Sequence, residues 1–252
     1  MITLTIDGAV AMATLSQAPV NAMNDAWVAR LEDILAQLEH EQNLSVLWLR
    51  SDQRVFCAGA DLEFMRSRFL TAEGRELMIA FTQRLQQVFE RLERLSLVSI
   101  AEIGGAALGG GFELALACDL RYVAETAKIG LPEARLGLLP AGGGTQRLTR
   151  LCGHGVARRL ILGAEIVTGS VAVDLGLAHW AAPLAELQSA TRSAVERIAE
   201  LPKAALAESK RCIAAAANGR PDGYEIELAG SARLLAMAET QQRVQRFLDK
   251  SA

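Results

Sequence analysis

This chain has no excess of positive charge, no block of like charges, no paired-cysteine motif and no apolar stretch approaching the roughly 20 residues of a membrane span. Each absence closes a class of function. With 26 Lys and Arg against 29 Asp and Glu, for a formal net charge of −3, nothing in the balance attracts nucleic acid or a membrane surface. Cys57, Cys118, Cys152 and Cys212 lie far apart and form no CxxC, so they read as small buried apolar residues in a reducing compartment. His40, His154 and His179 have no ligand spacing, and no metal is expected. No Ser or Cys stands in a recognisable nucleophile elbow. The N-terminus runs straight into the alternating pattern Ile2-Thr3-Leu4-Thr5-Ile6 rather than a signal or Arg-rich transit peptide, so a cytoplasmic chain is expected.

What is present is enough apolar material for one sizeable core: 252 residues, 51% of them hydrophobic. Ile2 to Ile6, a turn at Asp7-Gly8 and Val10 to Leu15 predict a hairpin. Asn24 or Asp25 can cap a helix that buries Trp27, Leu31, Ile34, Leu35 and Leu38 at helical spacing. Val46 to Leu49 suits a buried strand, followed by a loop from Ser51 to Asp61. Ala72 to Leu95 predicts a long amphipathic helix with Leu77, Phe81, Leu85, Val88, Phe89 and Leu92 inward, feeding a strand from Leu97 to Ile103. Short strands are expected at Leu120 to Val123 and Lys128 to Gly130. Beyond Gly142 the pattern is mainly helical: Thr145 to Leu151, Val156 to Leu162, Ser170 to Leu175, Leu184 to Leu201, Lys203 to Ala217 and Tyr224 to Asp249. No linker or repeat intervenes, so one α/β domain is expected over residues 1–252, a mixed core to residue 200 and a helical C-terminal region from 201.

Two glutamates stand beside backbone breaks. Glu113 follows Gly109-Gly110-Gly111-Phe112, and Glu133 follows Gly130-Leu131-Pro132. Three consecutive glycines let a ligand approach the backbone, and the peptide N–H groups around Gly110, opening a buried helix, are free donors for an oxyanion. The glycines do not spell GxGxxG, no GKS or GKT follows for a P-loop, and Glu113 would repel a pyrophosphate there. Bland readings stand beside these. Glu113 can be a buried helix carboxylate satisfied by Arg121 or Arg147, and Glu133 can be a helix-start residue favoured by the dipole after Pro132. Phe56 to Asp61 can be an ordinary strand-to-helix turn, and Gly142 to Gly144 reads as a plain helix start.

Three segments in register carry a resemblance. Val55-Phe56-Cys57-Ala58-Gly59-Ala60-Asp61-Leu62, the triple-glycine segment, and Ile129-Gly130-Leu131-Pro132-Glu133 with Leu138-Leu139-Pro140-Ala141-Gly142-Gly143-Gly144-Thr145-Gln146-Arg147-Leu148 resemble the enoyl-CoA hydratase/isomerase, or crotonase, family over essentially the whole chain. The resemblance implies a ClpP/crotonase-like spiral α/β fold, a homotrimer or dimer of trimers (a hexamer), and an acyl-CoA thioester substrate, with coenzyme A part of the substrate and no separate cofactor. It assigns the two oxyanion donors to the backbone N–H groups of Ala60 and Gly110, puts Ala58, Gly59, Asp61, Leu62 and Gly109 against substrate, and gives Gly142 to Gly144 a part in the pocket floor. Hydratase relatives carry glutamate at both positions and hold water between them, whereas many isomerase relatives keep only the later one. Having both therefore favours reversible syn hydration of a 2-enoyl-CoA, with Glu133 as the acid that protonates C2 and Glu113 orienting and deprotonating water. The rivals are a 3-enoyl to 2-enoyl isomerase and a non-catalytic acyl-CoA-binding or RNA-binding scaffold.

The chain also departs from the family pattern. Glu63 replaces a Lys suited to CoA phosphates, leaving Arg54, Arg66 or Arg68 as substitutes. Val98 stands where Pro is common and Gly104 where Asn is common. Gln242 to Phe247 lacks the usual acidic-glycine pair before its aromatic residue.

Overall fold

The computed structural model describes residues 1–251. Strands β1 (Ile2–Asp7) and β2 (Val10–Leu15) form the expected antiparallel hairpin, and β2 alternates between half-buried and buried residues as a strand with one covered face must. β3 (Val46–Ser51) and β4 (Val98–Ile103) are buried along nearly their whole length, the pattern of parallel strands covered on both faces. β6 (Leu120–Ala124) and β9 (Trp180–Ala182) complete a six-stranded sheet in the order β1-β2-β3-β4-β6-β9, parallel from β2 onward. A second sheet of three short strands, β5 (Ala107–Leu108), β7 (Lys128–Gly130) and β8 (Ile166–Thr168), stands beside it.

Two helices cover one side. α1 (Asp25–His40) is capped by Asn24, whose side chain accepts from the Trp27 N–H, and it buries Trp27, Val28, Leu31, Ile34, Leu35 and Leu38. α3 (Ala72–Arg94) buries Phe81, Leu85, Val88, Phe89 and Leu92, while Leu77, expected inward, is half exposed. Between β3 and α3 the chain makes a helix not read from the sequence, α2 (Leu62–Phe69), because the Asp61 carboxylate caps it by accepting from the N–H groups of Glu63 and Phe64. The opposite face of the sheet packs Trp48, Val98 and Ile100 under α7 (Leu184–Ala199).

α4 (Gly110–Leu116) and α5 (Gly144–Leu162) meet at the end of the sheet where the parallel strands deliver their loops. α5 bends at Gly153 (φ 75°, ψ 170°), which is why the sequence reads as two helices there. After α6 (Gly169–Asp174) and α7, the tail is α8 (Lys203–Ala217), α9 (Gly223–Leu235) and α10 (Ala238–Ser251). The single helix expected from Tyr224 to Asp249 is thus broken after Leu235, where no Gly or Pro announces a stop. Lys203 ties the tail to the carbonyls of Glu41 and Gln42, and Lys210 ties it to Leu97 O and Asp119. Within α8 and α9 only Ala215 and Gly230 are buried, and Ile213, Tyr224, Leu228, Leu235, Val244 and Leu248 stand exposed.

Candidate functional site

The loop after β3 and the loop after β4 are stitched together by their backbones. Phe56 and Cys57 both donate to Ala106 O (2.9 and 3.1 Å), and Leu108 N donates to Cys57 O at 3.1 Å. This pairing demands glycine: a Cβ on Gly111 would run into the Cys57 carbonyl. Gly59 has φ +97°, a conformation open to glycine, and a Cβ there would lie 3.1 Å from Gly110 N. On the other side the loop is pinned to Met23, which donates to Gly59 O and accepts from Asp61 N, each at 2.9 Å.

Between these anchors the N–H groups of Ala60 and Gly110 are left without an acceptor among the described residues. They are close neighbours, since a Cβ built on Gly110 would sit 3.7 Å from Ala60 N. Two adjacent backbone donors with no internal partner form a receptor for one oxygen that gains negative charge. Of the other residues expected here, Gly59 is buried, Ala58 and Leu62 are exposed, Asp61 is consumed in capping α2, and Gly109 (φ +53°) turns the chain into α4.

Glu113 lies one turn into α4 and is only 3% exposed. Neither Arg121 nor Arg147 satisfies it. Arg121 donates to the carbonyls of Ala115, Cys118 and Leu177, and Arg147 to Glu93 and Gly142 O. Its partner is the Gly144 N–H, 2.7 Å from Oε1. A Cβ on Gly142 would approach Glu113 Oε2 to 2.6 Å, and one on Gly144 would approach Oε1 to 2.8 Å. The third glycine cluster is therefore more than a helix start: its missing side chains make room for this carboxyl group. Burial pushes Glu113 up to about 7, opposed by the N–H groups of Gly144 and Gly142, reinforced by the charge of Glu133 and opposed again by Arg147.

Glu133 opens a 3-10 turn (Glu133–Leu136) rather than an α-helix. Its Oε1 lies 3.1 Å from where a Cβ of Gly109 would be, so the carboxyl reaches the glycine that precedes the Gly110 donor. Its Oε2 is buried and has no hydrogen-bond partner among the described residues. Burial raises its pKa too, opposed only by its own backbone N–H. A buried carboxyl oxygen with nothing to bond is costly unless a ligand or water completes it.

The remaining candidates drop away. Burial pushes the Cys57 and Cys118 thiols up to about 12, so both stay protonated at neutral pH. His179 Nδ1 accepts from Arg121 N, and burial holds the imidazole down to about 4. Among the described residues no group of three or more His, Cys, Asp or Glu could hold a metal ion, and no helix is long and apolar enough to cross a membrane. A surface cleft of about 770 Å³ lined by Lys128, Arg135, Arg159 and Thr168 contains none of the groups above. Chemistry, not cavity size, locates the site. Near it, Arg68 pairs with Asp25 at 2.8 Å and stacks on Phe64, Arg66 pairs with Glu63, and Arg54 is exposed with no ion pair among the described residues.

Comparison with known proteins gives a consistent picture. The family described as "Enoyl-CoA hydratase/isomerase" matches residues 5–252. A probable enoyl-CoA hydratase of Bacillus subtilis is 41% identical over 176 residues, 70% of this chain and 67% of the relative. A short-chain-enoyl-CoA hydratase of Clostridium acetobutylicum is 34% identical over 209 residues, 82% of this chain and 78% of the relative. The crystal structure of an enoyl-CoA hydratase from Bacillus anthracis superposes with a TM-score of 0.90 at 32% identity, covering 99% of this chain and 96% of that one.

Proposed function

This chain belongs to the enoyl-CoA hydratase/isomerase family, with the crotonase-type α/β fold, and within it we propose a hydratase that adds water reversibly across the 2,3 double bond of a 2-enoyl-CoA thioester to give 3-hydroxyacyl-CoA. The observation that carries this reading is the pair of carboxyls, buried Glu113 and half-buried Glu133 with its buried Oε2, on the loops that also carry the two unused N–H groups of Ala60 and Gly110. The thioester oxygen accepts from both N–H groups, which stabilise the charge that builds there as C2 becomes carbanion-like. Glu113, held by Gly144 N–H, takes a proton from water as the water oxygen bonds to C3. Glu133, with Oε2 otherwise unpartnered, delivers a proton to C2 from the same face, giving syn addition.

The cycle begins with Glu133 protonated and Glu113 ionised. Burial raises the pKa of both carboxyls, and the charge of Glu133 raises that of Glu113 further, so each holds a proton more tightly than a free glutamate does. After each turnover the proton sits on the other carboxyl and returns by exchange between them. A metal or nicotinamide has no part, and activity survives exhaustive EDTA treatment; loss of activity restored by a divalent ion overturns this mechanism.

Arg54 takes the place of the absent lysine toward the CoA phosphates, because Arg66 and Arg68 are already paired. The exposed apolar residues of α8 to α10 support a homotrimer or a dimer of trimers, which light scattering after gel filtration measures directly. The cytoplasm is the proposed location.

The deciding assay uses purified protein with short, medium and aromatic 2-enoyl-CoAs. Hydration removes the absorbance of the conjugated thioester and adds the mass of one water. Conversion of a 3-enoyl-CoA to the conjugated isomer, with no water gained from either substrate, replaces this reading with the isomerase.

A further inference from the structure

We propose that Arg147, held by one face of α3, is a positioning residue that sets the Ala141 to Gly144 loop and through it the orientation and charge of Glu113. The kinetic part of this proposal rests on the hydratase reading; the geometric part does not.

Gln86, Phe89 and Glu93 recur three and four residues apart and so share one side of α3. The first two meet the Ala141 to Gly144 loop and the third meets Arg147. Gln86 Nε2 donates to Ala141 O at 2.6 Å, the Phe89 ring packs 3.3 Å from where a Cβ of Gly142 would be, and Glu93 accepts from Arg147 Nε at 2.9 Å. Arg147 is 8% exposed and sends Nη1 back to Gly142 O at 3.0 Å. Its guanidinium fills the space beside Gly143, where any Cβ would strike Nη1 and where φ is +105°. The carbonyls of Ala141 and Gly142 are thus tied toward α3 and α5, while the Gly144 N–H points at Glu113 Oε1.

Charge follows the same path. The groups facing Glu113 are Glu133 from the 3-10 turn and Arg147 from α5, with Glu93 behind Arg147 on α3; β5 brings only Ala107 and Leu108. Arg147 opposes the upward push of burial and of Glu133 without touching the carboxyl. A lysine cannot substitute, because one ammonium lacks the planar fork that reaches Glu93 and the Gly142 carbonyl together.

The test compares Arg147→Met and Arg147→Lys with Arg150→Gln, which removes the exposed cation from the other oxygen of Glu93. One arm titrates Glu113 by carbon NMR in protein labelled at the glutamate carboxyl, the signal being identified by its loss in Glu113→Gln. The other arm measures kcat and KM with a short 2-enoyl-CoA across pH. In Arg147→Met the Glu113 titration moves to higher pH, and kcat at neutral pH falls by about 10²-fold with KM little changed, the scale of a misplaced catalytic group. Arg147→Lys keeps the Glu113 titration close to that of the parent yet still loses kcat, and Arg150→Gln changes neither. If Arg147→Met does not fold, Glu93→Gln, which frees the guanidinium from outside the pocket, carries the same kcat expectation. A folded Arg147→Met with an unmoved Glu113 titration or the parent kcat overturns the proposal, as does a Glu93→Gln with the parent kcat. If the parent protein hydrates nothing, the hydratase reading falls while the NMR arm still decides the role of Arg147.

Discussion

Glu113 is buried and Glu133 half-buried, and burial raises the pKa of both, yet the regions that hold them are built in opposite ways. Around Glu113 the protein is closed. Gly142 and Gly144 leave a slot one carboxyl wide, a backbone N–H fixes one oxygen at 2.7 Å, and Arg147 and α3 brace the slot from behind. Around Glu133 it is open: a single 3-10 turn supports the residue, and one oxygen has no partner. The lesson is that two identical side chains acquire different duties from what the backbone lends them. The held carboxyl suits orienting a small molecule, and the unpartnered one suits passing a proton.

The largest effect tests that division. Glu133→Gln keeps shape but cannot carry a proton, so it lowers both hydration and double-bond migration by about 10⁴-fold, the upper range for a general acid–base group. Glu113→Gln lowers hydration by about 10²- to 10⁴-fold while leaving measurable migration, which needs only one shuttle. Steady-state rates with 2-enoyl- and 3-enoyl-CoA decide it, and equal losses of both reactions in both variants erase the contrast.

A somewhat smaller loss is expected from one of the two unused backbone donors. Gly110→Pro deletes one N–H and lowers turnover by about 10²- to 10³-fold, checked by kcat alongside circular dichroism to confirm the fold. Near-parent turnover in a folded variant removes Gly110 from the mechanism.

Crowding the closed region sharpens the comparison further. Gly142→Ala places a methyl 2.6 Å from Glu113 Oε2 and 3.3 Å from Phe89, so Glu113 must shift. A displacement of that kind costs up to about 10²-fold in kcat. Gly137→Ala, in the turn after Glu133, meets open space but a left-handed φ of 71°, so its effect falls on stability rather than kcat.

The smallest effect is one of stability. Glu113 has a folded-state pKa of about 7, above its ordinary value of 4.5, so the folded protein binds the proton more tightly than the unfolded chain. Stability from this group is present below pH 4.5, declines as pH rises through the folded pKa, and by pH 8 is lost, a difference of up to about 3 kcal/mol. Glu113→Gln therefore melts at a higher temperature than the parent at pH 8, with the gap closing toward pH 5. A gap that is constant with pH contradicts the raised pKa.

The sequence made one half of this comparison readable and hid much of the other. Both glutamates stand beside glycines or proline, and such breaks show in any linear reading. The hairpin, α1, α3 and the buried strands were equally legible because their apolar residues repeat at strand or helix spacing. The clamp on Glu113 was not, since its hydrogen bond spans 31 residues from α4 to α5 and no periodicity reports a contact made by a bare N–H. Arg147, a candidate direct partner of Glu113 by sequence, bonds instead to Glu93 and the Gly142 carbonyl. β8 and β9, three residues each, are too short for alternation to register, and α2 depends on one capping aspartate. Leu77 follows the apolar stripe of α3 yet stays half exposed, while Met78 beside it packs against the core.

The strand order of the main sheet, β1-β2-β3-β4-β6-β9, never runs backward along the chain. During synthesis each new strand can therefore join an edge that already exists, and none has to be threaded between two that have paired. A ribosome delivering the chain from its N-terminus feeds this sheet in the order in which it can grow. The slot for Glu113 cannot close until Gly144 has emerged and reached back to α4, by which point five of the six strands of the main sheet have been made.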